Sequence, residues 1–243
     1  MLNKTKEFFR NRTKPKTIEE NKKTLLIYGA IFIVCFITLV SFQNIAKTEI
    51  QRIEKEFNNI LSKNYNNYSE TINLYLGEEE YKLDYKTDSK INIYSSDTFS
   101  KTEYVSYDNK LYYFENDKLI ETNNNEINDM FNDKLYNLQF IINLIKKSKL
   151  EFSRDNNAYC IINLTDFFEE YNKEYNENVV VNEDGKVKVI ISFDKNLNSI
   201  SLIYDDVIKN LTNEEKEMQY IININNIGNN NFDNYLKYLE NNN

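Results

Sequence analysis

The chain of 243 residues contains no histidine and no tryptophan, and it has only one proline, four glycines and two cysteines. The lack of histidine excludes Ser-His-Asp and Cys-His nucleophilic sites and every metal site that depends on imidazole ligands. None of the four glycines lies in a phosphate-binding loop. The sequence therefore predicts a protein that is not an enzyme and has no catalytic residues, metal ligands or cofactor.

Acidic residues outnumber basic ones, 38 against 30, which gives a formal net charge of −8. Phosphate contacts require a basic surface, so we expect no nucleic-acid partner. Two facing carboxylates are sufficient for glycoside hydrolysis, and pairs such as Asp205 and Asp206 leave a carboxylate-dependent wall hydrolase as the enzymatic alternative. With 38 acidic residues present, a solvated surface is the simpler interpretation of any one pair.

The two cysteines are separated by their surroundings. Cys35 lies inside the longest apolar run, so Cys160 stands alone in the rest of the chain and no intrachain disulfide is expected. Cys160 lies in the strand-like run AYCIINL, where a buried, inert thiol is a better interpretation than a nucleophile. An exported domain without disulfides depends on its core for stability.

Residues 24–42, TLLIYGAIFIVCFITLVSF, contain no charged side chain. A helix of this length crosses the hydrocarbon core of a bilayer, and only a helix satisfies the backbone there. A cleaved signal peptide and a lipidated cysteine are the alternatives. No small-x-small cleavage pattern follows Phe42, and Val34 is not the small residue that lipidation of Cys35 requires. We therefore expect an uncleaved signal anchor.

The charges on either side of this run predict its orientation. Eight basic and three acidic residues precede Thr24, whereas 22 basic and 35 acidic residues follow. Because lysine and arginine near a span stay on the cytoplasmic side, we expect a single-pass protein of the cell membrane with its amino terminus inside. The predicted parts are a cytoplasmic tail (1–23), a transmembrane helix (24–42), a juxtamembrane amphipathic helix (43–66) and an extracytoplasmic domain (67–243).

Periodicity predicts the elements of that outer body. Ile50, Ile53, Phe57, Ile60 and Leu61 share one helical face, which needs either a second copy in a coiled coil or, as we favour, a sheet. From Tyr68 the apolar residues alternate, as expected of short antiparallel strands joined by tight turns at Asp108-Asn109 and Asn116-Asp117. A helical period then covers residues 126–149.

A second group of strands is predicted beyond this helix. The expected strands are 158–164, 179–181, 186–193, 199–204 and 219–226, with a hairpin turn at Asp184-Gly185. A short helix over 165–175, capped by Thr165, interrupts them. A C-terminal amphipathic helix carries Phe232, Tyr235, Leu236 and Leu239 and is expected to dock on the sheet.

Residues 50–228 resemble the LolA-like family. The resemblance rests on the element order and on the last strands, YCIINL, VIISFDKNLNSISLIYDD and YIININNIG. It implies a half-barrel: a curved antiparallel α+β sheet with helices on its concave side. Family members include lipid carriers, stress-sensor domains and a germination lipoprotein that binds a cell-wall amidase. The uncleaved span departs from the lipidated members and argues against a carrier that shuttles cargo.

The 19 tyrosines suggest where a ligand would bind, since a phenol can bury its ring and keep its hydroxyl available. We expect an apolar groove between helix 126–149 and the first strands, with tyrosine hydroxyls as anchors. Strand alternation assigns to it Leu74, Leu83, Tyr85, Ile93, Val105, Leu111 and, on the helix, Leu138. The alternative is that these side chains meet the helix and leave no space.

The sequence as a whole predicts a membrane-anchored extracytoplasmic binding module of the cell envelope. Its expected partners are the bilayer, through residues 24–42, and either an acyl-chain ligand or an envelope protein. The alternative is a structural or adaptor subunit of an envelope assembly, for example in sporulation, germination or export.

Overall fold

A computed structural model describes residues 18–63, 65–88, 90–96, 100–115, 118–123 and 135–241. The chain divides into two compact units, Met1–Gln51 and Arg52–Asn243. Helix α1 (Ile18–Leu61) begins in the first unit and ends in the second. Among the described residues it is the one helix long and apolar enough to cross a membrane, and its most apolar stretch is not buried at all. The length and the composition of the helix are the support for a membrane span. A signal sequence near the N-terminus has the same two properties.

Eleven strands of the described chain form one antiparallel sheet in the order β6-β5-β4-β3-β2-β1-β11-β10-β9-β8-β7. The strands of its first half are β1 (Tyr68–Leu76), β2 (Glu79–Thr87), β3 (Ile91–Ser96), β4 (Ser100–Tyr107), β5 (Lys110–Glu115) and β6 (Lys118–Thr122). Those of its second half are β7 (Glu151–Phe152), β8 (Asn157–Asn163), β9 (Lys186–Phe193), β10 (Leu197–Ile203) and β11 (Met218–Asn225). Each half is a meander of neighbouring strands, and β1 joins the halves by pairing with β11, where Ile72 lies opposite Ile222.

Four further helices accompany the sheet in the described residues. They are α2 (Leu138–Lys147), α3 (Leu164–Tyr175), α4 (Asp205–Thr212) and α5 (Asp233–Asn241). The predicted α+β class with one open antiparallel sheet is thereby confirmed.

The main core lies on one face of the sheet, which we call the inner face. The last turns of α1 contribute Ile53 and Phe57, and the ring of Phe57 lies 4.7 Å from that of Phe193 on β9. Phe140 of α2 contacts Phe167 of α3 edge to face at 5.7 Å. Burial of each such side chain stabilises the fold by about 2–3 kcal/mol. The amphipathic face expected of the juxtamembrane helix therefore packs in the core of the second unit.

A second, smaller core lies on the opposite, outer face. Its buried members are Ile91, Ile93, Val105, Tyr112, Phe232 and Leu239. Phe232 and Leu239 flank or belong to α5, and Tyr235 of α5 donates a hydrogen bond of 2.7 Å to Glu103 of β4. The C-terminal helix therefore docks as expected, although on the face opposite α2 and α3.

Two local predictions about turns differ in outcome. Asp108 and Asn109 both have positive φ, 50° and 60°, which is the geometry of the tight hairpin turn that was predicted between β4 and β5. The expected hairpin at Asp184-Gly185 does not form, because residues 179–181 are not a strand. The side chain of Asn172 instead binds both backbone groups of Val179, each at 2.8 Å.

Helix boundaries also need correction. Helix α3 begins at Leu164, and its N-cap is Asn163 rather than Thr165. Of the helix predicted over 126–149, the described part is helical from Leu138 to Lys147, and the side chain of Asn137 caps it by accepting a hydrogen bond from the N–H of Phe140. Residues 124–134 and the turn predicted at Asn116-Asp117 lie outside the described residues. Helix α4 was not predicted.

Candidate functional site on the inner face

The structure brings part of the predicted groove together. Leu83 of β2 and Leu138 of α2 are buried members of the same inner-face core, and Leu74 and Tyr85 are partly buried against it. Leu111 is buried and lies on the inner face by register, since it pairs with Ser106, which in turn pairs with Asn92. The four strand residues thus share the face on which α2, with Leu138, lies.

Ile93 and Val105 were assigned to the wrong face. They lie opposite one another on β3 and β4, and both belong to the outer-face core beneath α5. The register explains the error: Tyr85 pairs with Tyr94, so the even-numbered residues of β3 continue the inner face. A change of one residue in the turn between β2 and β3 reverses every following side chain.

Tyrosines occupy the inner-face positions that Ile93 and Val105 were expected to fill. Tyr94 contacts Tyr85, with 4.9 Å between ring centroids, and Tyr85 contacts Tyr68 at 6.1 Å. The hydroxyl groups of Tyr94 and Tyr136 are hydrogen-bonded, which ties the turn before α2 to β3. We call Tyr68, Tyr85, Tyr94 and Tyr136 the tyrosine cluster.

A buried carboxyl group lies beside this cluster. Glu70 on β1 is directly opposite Tyr85 on one side and Ile224 on the other, and only 3% of its surface is exposed. Its Oε2 atom has no hydrogen-bond partner among the described residues. Burial raises the pKa of Glu70 to about 8, so the side chain is predominantly neutral at pH 7.

The polar groups around Glu70 are neutral as well. The hydroxyl groups of Tyr85 and Thr87 both donate to Oδ1 of Asn92, at 2.9 Å and 2.5 Å. Burial raises the pKa of Tyr85 to about 12, and burial also raises the pKa of Tyr68 and of Tyr94 well above the usual range. Neutral phenols and a neutral carboxyl offer hydrogen bonds without charge, which suits recognition of a polar group rather than nucleophilic chemistry.

Sequence reasoning missed Glu70, Tyr94 and Tyr136. The signal for Glu70 was present, because strand alternation places it in phase with Ile72 and Leu74. The inner-face position of Tyr94 depends on the register between β2 and β3. The position of Tyr136 depends on where α2 begins, which is at Leu138. The cluster as a unit was therefore accessible only from the tertiary structure.

The thiol of Cys160, the acidic side chains and a polar cleft are further features of the described residues. Burial raises the pKa of the Cys160 thiol to about 11, which makes it a poor nucleophile. Within the described ranges, no group of three or more Cys, Asp or Glu side chains is placed to hold a metal ion. A small cleft of about 140 Å³ beside α4 is lined mainly by polar residues, among them Asp184, Asp206 and Lys209.

No protein-family model matches the chain, and no curated protein sequence matches it. Among solved structures, the crystal structure of LprF from Mycobacterium bovis is similar, with 9% identity and a TM-score of 0.39 over 75% of this chain and 93% of that chain. The crystal structure of the LolA superfamily protein NE2245 from Nitrosomonas europaea has 10% identity and a TM-score of 0.29 over 75% of this chain and 94% of that chain. Both likenesses have TM-scores below 0.5, so they carry no argument about the family or the function of this chain.

Proposed function

We propose that this chain is a membrane-anchored binding module of the cell envelope whose body lies outside the membrane and binds a protein partner. The unburied apolar stretch of α1 is the single observation that carries the anchoring. Leu25 and Phe32 are 76% and 70% exposed, and their neighbours are similarly open. Each such side chain gains about 2 kcal/mol on leaving water, so a bilayer is the environment that stabilises this helix.

The burial of two residues of the predicted groove supports a protein partner over an acyl chain. Leu83 and Leu138, which were expected to line a groove, are 6% and 1% exposed and already pack within the main core. Apolar surface is exposed instead on the outer face, at Tyr159, Ile161 and Ile190. Exposed apolar patches occur at interaction sites, whereas small-molecule pockets are concave and bury most of the ligand.

A lipid-like ligand is the second candidate, and one observation favours it. The unpartnered Oε2 of Glu70 lies among the tyrosines, where the polar end of an amphiphile would find hydrogen-bond partners. An adaptor role in an envelope assembly is a form of the first candidate, because it also requires a protein contact.

Protease treatment of intact cells tests the anchoring and orientation. Loss of the body beyond residue 61, with the amino-terminal part retained in the membrane, is the expected outcome. Full protection of the body, or its release into the medium without protease, would contradict the proposed topology.

Native mass spectrometry of the full chain, extracted from the membranes of the cells that make it, tests the ligand class. A protein adduct supports the first candidate. An acyl-chain adduct that disappears in Leu83→Trp, but not in the exposed control Lys237→Trp, supports the second and overturns the first. A chain that carries neither adduct overturns the binding function itself.

A further inference from the structure

Strand β8 has an edge that its neighbour covers only in part. It pairs with β9 along its whole length, from Asn157 to Asn163. On its other side β7 has two residues, which pair only with Ala158 and Tyr159. On the side away from β9, the part of β8 from Cys160 onward therefore has no paired strand in the described chain.

The direction of the backbone groups follows from three hydrogen bonds. The N–H of Leu164 donates to Gly185 at 2.9 Å, and the N–H of Phe193 donates to Asn156 at 3.1 Å, so even-numbered residues of this segment face β9. The N–H of Ser153 donates to Asn157 at 2.8 Å, so odd-numbered residues face away from β9. By this alternation both backbone groups of Ile161 and the N–H of Asn163 point outward, beyond the end of β7.

The side chains at the same edge are apolar and exposed. Tyr159, Ile161 and Ile190, which we call the edge patch, are 41%, 61% and 40% exposed on the outer face. Tyr159 lies directly opposite Ile190 across the β8–β9 ladder. The solvent face of an antiparallel sheet ordinarily carries polar residues at such positions, so this patch departs from the usual pattern.

There is room beside the edge for another chain. A cleft of about 460 Å³ lies between the end of α2 and the beginning of α3, and Ile161 and Ile162 are among the residues that line it. Its lining includes Lys147 and Glu170, which form an ion pair with each other, and also Lys149, Asp166 and Glu169. Charges of both signs favour a peptide with polar residues at its ends over a purely apolar or singly charged ligand.

We propose that the free edge of β8 receives an extended segment of the protein partner, which adds to the sheet as a further strand. This inference rests on the proposed function and names the surface that performs it. An extended peptide presents N–H and C=O groups at the spacing that Ile161 and Asn163 require, whereas a helix has already used its own. Alternate side chains of the added strand would lie on the edge patch, so we expect apolar residues there.

A photo-crosslinking residue at Tyr159 of the full chain, in the membranes of the cells that make it, tests the proposal. The expected result is one heterologous protein adduct, reduced at least tenfold by Ile161→Pro. Proline removes the outward N–H of Ile161 without breaking the β8–β9 ladder, because that N–H does not face β9. A crosslinker at Tyr75, on the outer face of β1, is the matched control and should give no adduct.

Three results would overturn the inference. They are an adduct that persists in Ile161→Pro, an adduct with the mass of two copies of this chain, and adducts at Tyr75 alone. Amide exchange is the second readout, since the N–H groups of Ile161 and Asn163 should exchange more slowly in the complex than in the purified chain. Adducts elsewhere on the body with none at Tyr159 would leave the binding function in place, whereas no adduct at any position would remove both.

Discussion

The two halves of the sheet bury their side chains in different ways. Strands β8 to β10 are covered on the inner face only, where aliphatic residues such as Val189, Ile191 and Ile200 are buried. Strands β3 and β4 are covered on both faces, by the main core on one side and by the smaller core with α5 on the other. A strand buried on both faces has apolar residues at successive positions, so its alternation does not show which side chains face the main core. Alternation therefore predicts the buried face reliably in the second half of the sheet and not in the first.

Substitutions at neighbouring positions of one strand should show the largest difference in stability between the two halves. Ile191→Asp buries an unpaired charge at a fully buried position, so we expect a loss of about 4 kcal/mol or failure to fold. Its neighbour Ile190 is 40% exposed, and Ile190→Asp should cost less than about 1 kcal/mol. In β3 the neighbours Ile93 and Tyr94 are both buried, so Ile93→Asp and Tyr94→Asp should each be as damaging as Ile191→Asp. Thermal unfolding measures all four variants, and a tolerated Ile93→Asp would contradict the two-sided first half.

The contribution of α5 should be confined to the first half. Leu239→Ala removes a buried side chain of the outer-face core and should destabilise the protein by about 2–3 kcal/mol. Lys237→Ala, at an exposed position of the same helix, is the control and should have little effect. Amide exchange should accelerate in β3 to β5 and remain unchanged in β8 to β10. Uniform acceleration would show that the two halves unfold as one cooperative unit.

Glu70 makes the stability of the first half dependent on pH. Its pKa is about 8 in the folded protein against 4.5 for an ordinary glutamate, so the folded state holds the proton more tightly. The contribution of Glu70 to stability should therefore be greatest below about pH 4.5 and fall as the pH rises to 8, by roughly 5 kcal/mol, since each pH unit between the two pKa values is worth about 1.4 kcal/mol. The chain has no histidine, so few other groups titrate in this window. Urea unfolding at pH 5 and 8.5 should show this loss in the native chain and not in Glu70→Gln, and equal losses would contradict it.

The smallest expected effect concerns the tyrosine cluster. Tyr136→Phe removes one of the two hydroxyl groups that join the turn before α2 to β3, and it should cost about 1 kcal/mol. Tyr94→Phe should cost a similar amount, and the double variant should cost less than the sum of the two, since both remove the same bond. Chemical denaturation of the three variants measures this coupling. Additive costs would show that the two hydroxyl groups act independently.

Several elements were predictable because their signal is local. The strands β8 to β11 lie within two residues of the predicted ones, since each has one buried face and ends at a turn or a helix. The hairpin at Asp108-Asn109 also followed from local chemistry, as these residues adopt positive φ more readily than most. The missing hairpin at Asp184-Gly185 is the opposite case. A Cβ on Gly185 would lie 2.8 Å from that of Asp206, so this glycine is needed where α4 approaches the chain, and no local pattern reveals such an approach.

Some residues of the candidate site were likewise placed correctly from local patterns, and others were not. The inner-face positions of Leu83 and Tyr85 and the core position of Leu138 followed from periodicity, because β2 and α2 each present one apolar face to the core. Ile93 and Val105 were misplaced, and Tyr94 and Tyr136 were missed, because their faces depend on the register across a turn and on where α2 begins. Register is a relation between two strands, so it is absent from the alternation of either one.

The sequence by itself determined the apolar helix, the acidic body behind it and the alternation of strands and helices, since each is a property of neighbouring residues. Three features emerge only from tertiary contacts among the described residues: one oxygen of buried Glu70 has no partner, α5 covers the outer face of the first half, and part of the β8 edge has no paired strand. The physical reason is that burial and pairing depend on residues far apart in the chain. Glu70 meets Ile224 across a separation that no local pattern spans, and the length of β7 decides what remains open on β8.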